Sequence, residues 1–167
     1  MPDAPHVMIT DAQFYPDLAD ALFEGAVAEL NAVGATFERF TVPGAFELPA
    51  ALQMAIRSMD FFTGRRRFDG YIALGTVIRG ETSHYDYVCS ETSRALMDLS
   101  VRYTLALGFG LLTCENREQA EDRASINGKN TGGEIVVCMM GGIAGVILGI
   151  GVGNLMAKAL QISGFVV

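Results

Sequence analysis

Apolar and polar positions along this chain alternate between two periods, and the switches lay out strands followed by helices. Residues 6–10, His-Val-Met-Ile-Thr, form a short apolar run that reads as a first strand, and the loop 11–16 leads into a helix. Leu18, Leu22, Ala26, Leu30 and Val33 then recur at the spacing of one helix face, with Gly34 as the stop. Residues 36–42 alternate like a second strand, and residues 42–49 make a turn opening a second helix that runs to about Met59. Residues 61–68, with Arg65, Arg66 and Arg67 in a row, read as a solvated surface loop. Tyr71-Ile72-Ala73-Leu74, bounded by Gly70 and Gly75, reads as a buried third strand. A helix follows from Ser83 to about Tyr103, with Val88, Leu96 and Leu99 among its apolar positions. Residues 105–113 form a fourth strand, 115–124 a short charged helix and 125–132 a polar loop, and a long apolar tail closes the chain.

Strands separated by helices of this length predict an α/β fold, in which helices cover both faces of a four-stranded parallel sheet as a three-layer sandwich. No linker divides the 167 residues, so one domain is expected over 1–167. The loops at Phe14, 42–47, 75–83 and 112–116 all leave the carboxyl ends of strands, the edge where open α/β sheets bind ligands. They can converge on one site.

Charge changes the picture of what that site holds. With 19 acidic and 12 basic residues the net charge is −7, which argues against nucleic acid and against anionic membrane surfaces. A negatively charged substrate therefore needs local donors. Cys89, Cys114 and Cys138 are far apart and form no CxxC, so they read as buried thiols in a reducing compartment. Residues 1–6 carry neither a basic nor an apolar leader signal, and a cytoplasmic location is expected.

The stretch from Gly75 to Val88 is the candidate centre, a strand, a turn and a helix start. Such a turn aims backbone N–H groups and the positive helix end at one point, which suits a phosphate. Thr82 and the N–H groups of Gly80 to Ser83 are the candidate donors, and Gly80 lets the backbone approach closely. The Glu81 carboxylate must point away, leaving its backbone to serve. His84 falls in the first helical turn as the candidate acid–base group. Phe14 is either a staple on the following helix or a platform for a flat heterocycle. Glu47 is either a first-turn carboxylate favoured by the helix dipole or an acceptor for hydroxyls. Arg123 is either solvated or a bidentate phosphate clamp. Gly128-Lys129-Asn130 lacks the features of a phosphate-binding P-loop, no metal-ligand spacing occurs, and no carboxylate one helical turn after His84 orients it.

Taken in order, Phe14, Pro43-Gly44-Ala45-Phe46-Glu47, the run from Gly75 to His84, Phe109-Gly110-Leu111-Leu112-Thr113 and Glu115-Asn116-Arg117-Glu118-Gln119-Ala120 closely resemble the 6,7-dimethyl-8-ribityllumazine synthases of riboflavin biosynthesis. The resemblance covers roughly residues 6 to 134. It implies a flavodoxin-like fold and a cofactor-free condensation of 5-amino-6-(D-ribitylamino)uracil with 3,4-dihydroxy-2-butanone 4-phosphate, through a Schiff base, phosphate loss and ring closure. In the family's terms Phe14 stacks on the pyrimidine with Val77 and Ile78 beside the ring. Ala45, Phe46 and Glu47 hold the ribityl chain, while Glu81 (through its backbone), Thr82 and Arg123 bind the phosphate. His84 shuttles protons, and Phe109 and Arg123 come from a neighbouring subunit of a homo-oligomer, a pentamer or an icosahedral 60-mer of pentamers.

Two departures stand against that pattern. Where the family usually has Asn-Lys-Gly, this chain has Asn130-Thr131-Gly132, with Lys129 displaced. After Glu134 an uncharged segment, 135–157, carries Gly141, Gly145, Gly149 and Gly153 on one helical face; it is long enough for a membrane span, but a buried helix or strand-like run at a subunit interface is the favoured reading. The rival readings are accordingly a non-catalytic shell-forming or lumazine/flavin-binding relative, favoured by Thr131, and a membrane-attached relative, favoured by the tail.

Overall fold

The structure, a computed structural model, describes residues 4–58 and 67–124. Within them the chain runs β1 (His6–Ala12), α1 (Pro16–Ala32), β2 (Thr36–Val42), a 3-10 turn (Ala45–Glu47), α2 (Leu48–Ser58), β3 (Gly70–Ile78), α3 (His84–Tyr103), β4 (Leu107–Cys114) and α4 (Arg117–Arg123). All strand pairs are parallel, in the order β2-β1-β3-β4. The predicted three-layer α/β sandwich is the fold observed.

Alternation along the strands builds two cores. Val7, Ile9, Ile72, Leu74 and Leu112 point to one face, where Leu18, Leu22, Ala26 and Leu30 of α1 and Ala120 of α4 cover them. Met8, Ala12, Tyr71, Ala73 and Leu111 point to the other, against Leu48, Leu52 and Ile56 of α2 and Val88, Leu96 and Leu99 of α3. Pro16 opens α1 from its first turn, where its missing N–H costs nothing. Gly34 ends the turn after α1 at φ +70°, a conformation glycine adopts without a Cβ penalty. Val33, read as part of the buried stripe, instead follows the helix end and is exposed.

The strands run further than the apolar runs suggested. β1 continues to Ala12, and β3 extends from Gly70 to Ile78 because its pairing with β4 holds as far as Ile78 against Cys114. What read as the start of a turn at Gly75 is therefore still sheet. β4 begins at Leu107 and α4 at Arg117, each two residues later than predicted. Phe68 is a plainer correction. It is 2% exposed, stacked on the His6 ring at 5.3 Å and edge-on to Phe40 and Tyr71, so the end of the presumed solvated loop belongs to the core. Residues 59–66, including Arg65 and Arg66, lie outside the described residues. Cys114 is buried as expected, whereas Cys89 is only half-buried; Cys138 lies outside the described residues.

Two features lock the sheet. Asp11 is fully buried and receives Arg39 Nε at 3.1 Å and Nη2 at 2.8 Å, while the same guanidinium covers the Phe23 ring at 4.0 Å. Gly110 permits close approach of β4 to β3, since a Cβ there would meet Leu74 Cδ2 at 2.6 Å and the Ala73 carbonyl at 3.2 Å. Leu74 is itself fully buried and has no room to withdraw. Gly110→Ala is expected to lose about 1–3 kcal/mol of stability through overpacking. Chemical denaturation would show this as a lower midpoint at unchanged slope, and an unaltered midpoint would refute the close fit.

Candidate active site

Crossover connections leave β1 and β3 in opposite directions, β1 towards β2 and β3 towards β4, so the sheet has its switch point between these two strands. Pairing of β1 with β3 ends at Asp11 opposite Leu74, and beyond it β3 continues alone against β4. A cleft of about 500 Å³ opens where β1 departs. Its walls come from the β1 exit loop, the 3-10 turn, the end of β3 and the first turns of α3.

Each wall has a local cause. Gln13 donates its backbone N–H to the Val42 carbonyl at 2.8 Å, and its side chain hydrogen-bonds Asp11, so the loop after β1 is tied at both ends. Phe14 then projects into the cleft, 68% exposed and edge-on to Tyr15 at 5.0 Å. That exposure suits a platform better than a staple. The 3-10 turn places Ala45, Phe46 and Glu47 on the opposite wall, with Phe46 and Glu47 exposed. Val77 and Ile78, half-buried at the free end of β3, make the apolar floor together with Thr76.

The turn after β3 is the polar end. Among the described residues, the N–H groups of Gly80, Glu81, Thr82 and Ser83 have no hydrogen-bond acceptor within the protein. Gly80, Thr82 and His84 line the cleft, whereas Glu81 is exposed and does not. Ser83 precedes α3 without a side-chain cap, and the His84 N–H reaches Thr82 Oγ1 only at 3.4 Å. A row of orphan donors at a helix start has the partial charges to receive an anion.

Phe109 and Arg123, both placed at the site by sequence, do not line this cleft. Phe109 stands 41% exposed on β4. Arg123 is exposed at the end of α4, its Nη1 3.8 Å from Cys114 Sγ. No lysine or arginine lines the cleft among the described residues. Lys129, Asn130 and Thr131 lie outside the described residues, as does the segment 135–157; among the described residues no helix is long and apolar enough to cross a membrane.

Thr76 and Tyr85 are among the cleft residues to which the sequence assigned no role. Thr76 is 5% exposed and its hydroxyl has no partner among the described residues, an orphan that a ligand atom can satisfy. Tyr85 contributes the wall beside His84; burial, with Cys89 nearby, pushes its phenol up, so it remains protonated. Strand parity would have found Thr76 had β3 been carried to Ile78. Burial likewise pushes the Cys89 and Cys114 thiols up, which makes both poor nucleophiles.

Comparison with known proteins fits this geometry. A family model described as 6,7-dimethyl-8-ribityllumazine synthase matches residues 4–143, reaching past Glu134 into the apolar segment. The chain is 52% identical over 128 residues to 6,7-dimethyl-8-ribityllumazine synthase 1 of Rhizobium meliloti, covering 77% of this chain and 82% of that protein. Identity is again 52%, over 129 residues, to the 6,7-dimethyl-8-ribityllumazine synthase of Agrobacterium fabrum, covering 77% and 86%. It is 48% over 139 residues to that of Bartonella tribocorum, covering 81% and 88%.

Proposed function

The chain belongs to the 6,7-dimethyl-8-ribityllumazine synthase family and catalyses the family's condensation in riboflavin biosynthesis, and we propose that it does so in the cleft between Phe14 and His84. The observation that carries this placement is the row of four N–H groups, Gly80 to Ser83, without an acceptor among the described residues, opening beside the exposed Phe14 ring. One feature suits a phosphorylated four-carbon ketone and the other a flat aminopyrimidine. Phe14 stacks on the ring of 5-amino-6-(D-ribitylamino)uracil while Val77 and Ile78 exclude water along its edge. Ala45, Phe46 and Glu47 hold the ribityl chain, the Glu47 carboxylate accepting from its hydroxyls. Thr82 and the backbone of Glu81 bind the phosphate of 3,4-dihydroxy-2-butanone 4-phosphate.

So held, the 5-amino group lies against the ketone carbonyl. Attack forms a C–N bond and water leaves to give the imine. Loss of the C3 proton with breakage of the C4–O bond expels phosphate and leaves an enol. This tautomerises to the C3 ketone, which the ribitylamino nitrogen attacks to close the second ring with loss of water. Holding both partners in a near-attack arrangement supplies most of the acceleration. His84 takes and returns the protons that move as nitrogen and oxygen change charge.

A phosphate site without a cation in its own cleft is incomplete. Arg123 and Phe109 complete it from a neighbouring subunit, and a homo-oligomer (a pentamer, or a 60-mer of pentamers) follows. Exposed Tyr87, Met97 and Val101 on α3 and Met54 on α2 are available for such contacts. A cytoplasmic location fits the same reading. The test is subunit complementation. Co-expressed in equal amounts, His84→Ala and Arg123→Ala chains should assemble with roughly a quarter of their sites carrying both intact residues. Lumazine absorbance should then recover far above either variant alone; activity no better than the mean of the two sinks the shared site. A wild-type protein that forms no lumazine would favour the shell or flavin-binding alternative.

A further inference from the structure

Arg79 is the cation closest in sequence to the anion cradle, and its surroundings give it another task. It directly follows β3 and begins the turn that ends at His84. Its Nη1 and Nη2 donate to the two Asp86 carboxylate oxygens at 3.2 and 2.9 Å, a bidentate fork onto the first turn of α3. Its Nε donates to Glu115 Oε2 at 2.7 Å, on the loop between β4 and α4. Its guanidinium carbon stands 4.1 Å over the Tyr85 ring, and its backbone N–H reaches the Cys114 carbonyl at 2.9 Å. Asp86 and Glu115 hold the guanidinium proton more tightly than usual, and Arg79 in turn holds the Asp86 carboxyl below its ordinary range.

We infer that Arg79 is a positioning residue for the phosphate end of the site: it ties the Gly80–Ser83 turn, the start of α3 and the β4–α4 loop to one another, and does not itself bind the anion. Three of its donors and one face are committed, and two carboxylates outweigh its charge, so the local potential it offers a phosphate is not positive. The same side chain fixes the turn that carries Thr82 and His84, the cleft wall at Tyr85, and the base of the helix that carries Arg123. Single exposed ion pairs contribute little to stability. A planar fork spanning three elements contributes geometry instead, and geometry is what a near-attack site depends on.

This rests on the phosphate placement proposed above, and the experiment separates the two. Steady-state kinetics with each substrate varied, and inhibition by inorganic phosphate, would be measured for Arg79→Gln, Arg79→Lys, Asp86→Asn and the Arg79→Gln/Asp86→Asn double variant. Each single variant is expected to raise the KM for the butanone phosphate and the phosphate inhibition constant by about tenfold, since small misplacements are costly in a preorganised site. The double variant should be no worse than either single, because fork and carboxylate act as one unit. Lysine should not rescue, having charge without the fork. Thermal midpoints should stay within a few degrees of wild type, which separates positioning from folding. A direct phosphate ligand predicts the opposite for Asp86→Asn: freeing the guanidinium would tighten phosphate binding and overturn the inference. Wild-type constants in the single variants, additive losses, or rescue by lysine would overturn it too. Arg123→Ala, measured alongside, reports on the placement: normal phosphate binding there counts against the placement, whatever the Arg79 variants do.

Discussion

Replacing Arg123 by alanine should raise the KM for 3,4-dihydroxy-2-butanone 4-phosphate by about 100-fold, at the upper end of what a charge-assisted hydrogen-bonded pair contributes. The KM for the pyrimidine should stay within about twofold of wild type, because the guanidinium touches only the phosphate end. The large effect follows from two observations. The chain carries a net charge of −7, so its mean field repels the substrate, and the cleft has no lysine or arginine of its own among the described residues. Backbone N–H groups supply direction, but a full positive charge must come from elsewhere. Arg123→Lys should recover part of the loss, keeping the charge and losing the planar fork. Kinetics with each substrate varied at saturating concentration of the other decide it. An unchanged KM for the butanone phosphate removes Arg123 from the site and leaves the complementation experiment without its rationale.

His84→Ala should act on the other constant. A positioned acid–base group contributes about 100-fold at the low end of its range, so kcat should fall by that much while both KM values move little. Activity should not vanish. Most of the barrier reduction resides in holding amine and carbonyl together, and Phe14, Thr82 and the Gly80–Ser83 donors do that without the imidazole. Single-turnover measurement of lumazine absorbance at saturating substrates isolates the step. A kcat equal to wild type denies His84 any proton-transfer role. A large rise in either KM with kcat preserved makes His84 a binding residue instead.

The site was legible where its parts are contiguous. Thr82 and His84 follow a strand and open a helix, so their placement needed only local rules. Phe14 and the Ala45–Glu47 turn were legible because a strand end is a predictable position. Phe68 was misread because three neighbouring arginines suggested solvent, whereas His6, Phe40 and Tyr71, distant in sequence, enclose its ring. Thr76 was missed for a related reason: β3 extends past its apolar run because β4 keeps pairing with it to Cys114.

The order of apolar and polar residues by itself determined the strand–helix alternation, the parallel sheet with its two cores, and the nature of the turn at Gly80, since each follows from periods and backbone freedoms that act over a few residues. Tertiary structure alone decided that Phe14, Glu47 and Thr82 line one cleft, that Arg79 meets Glu115 from 36 positions away, and that Arg123 and Phe109 do not line that cleft. The physical reason is range: a period is a property of neighbours along the chain. A cleft or an ion-pair tie is a property of groups that meet only when the sheet's long-range pairing brings them together.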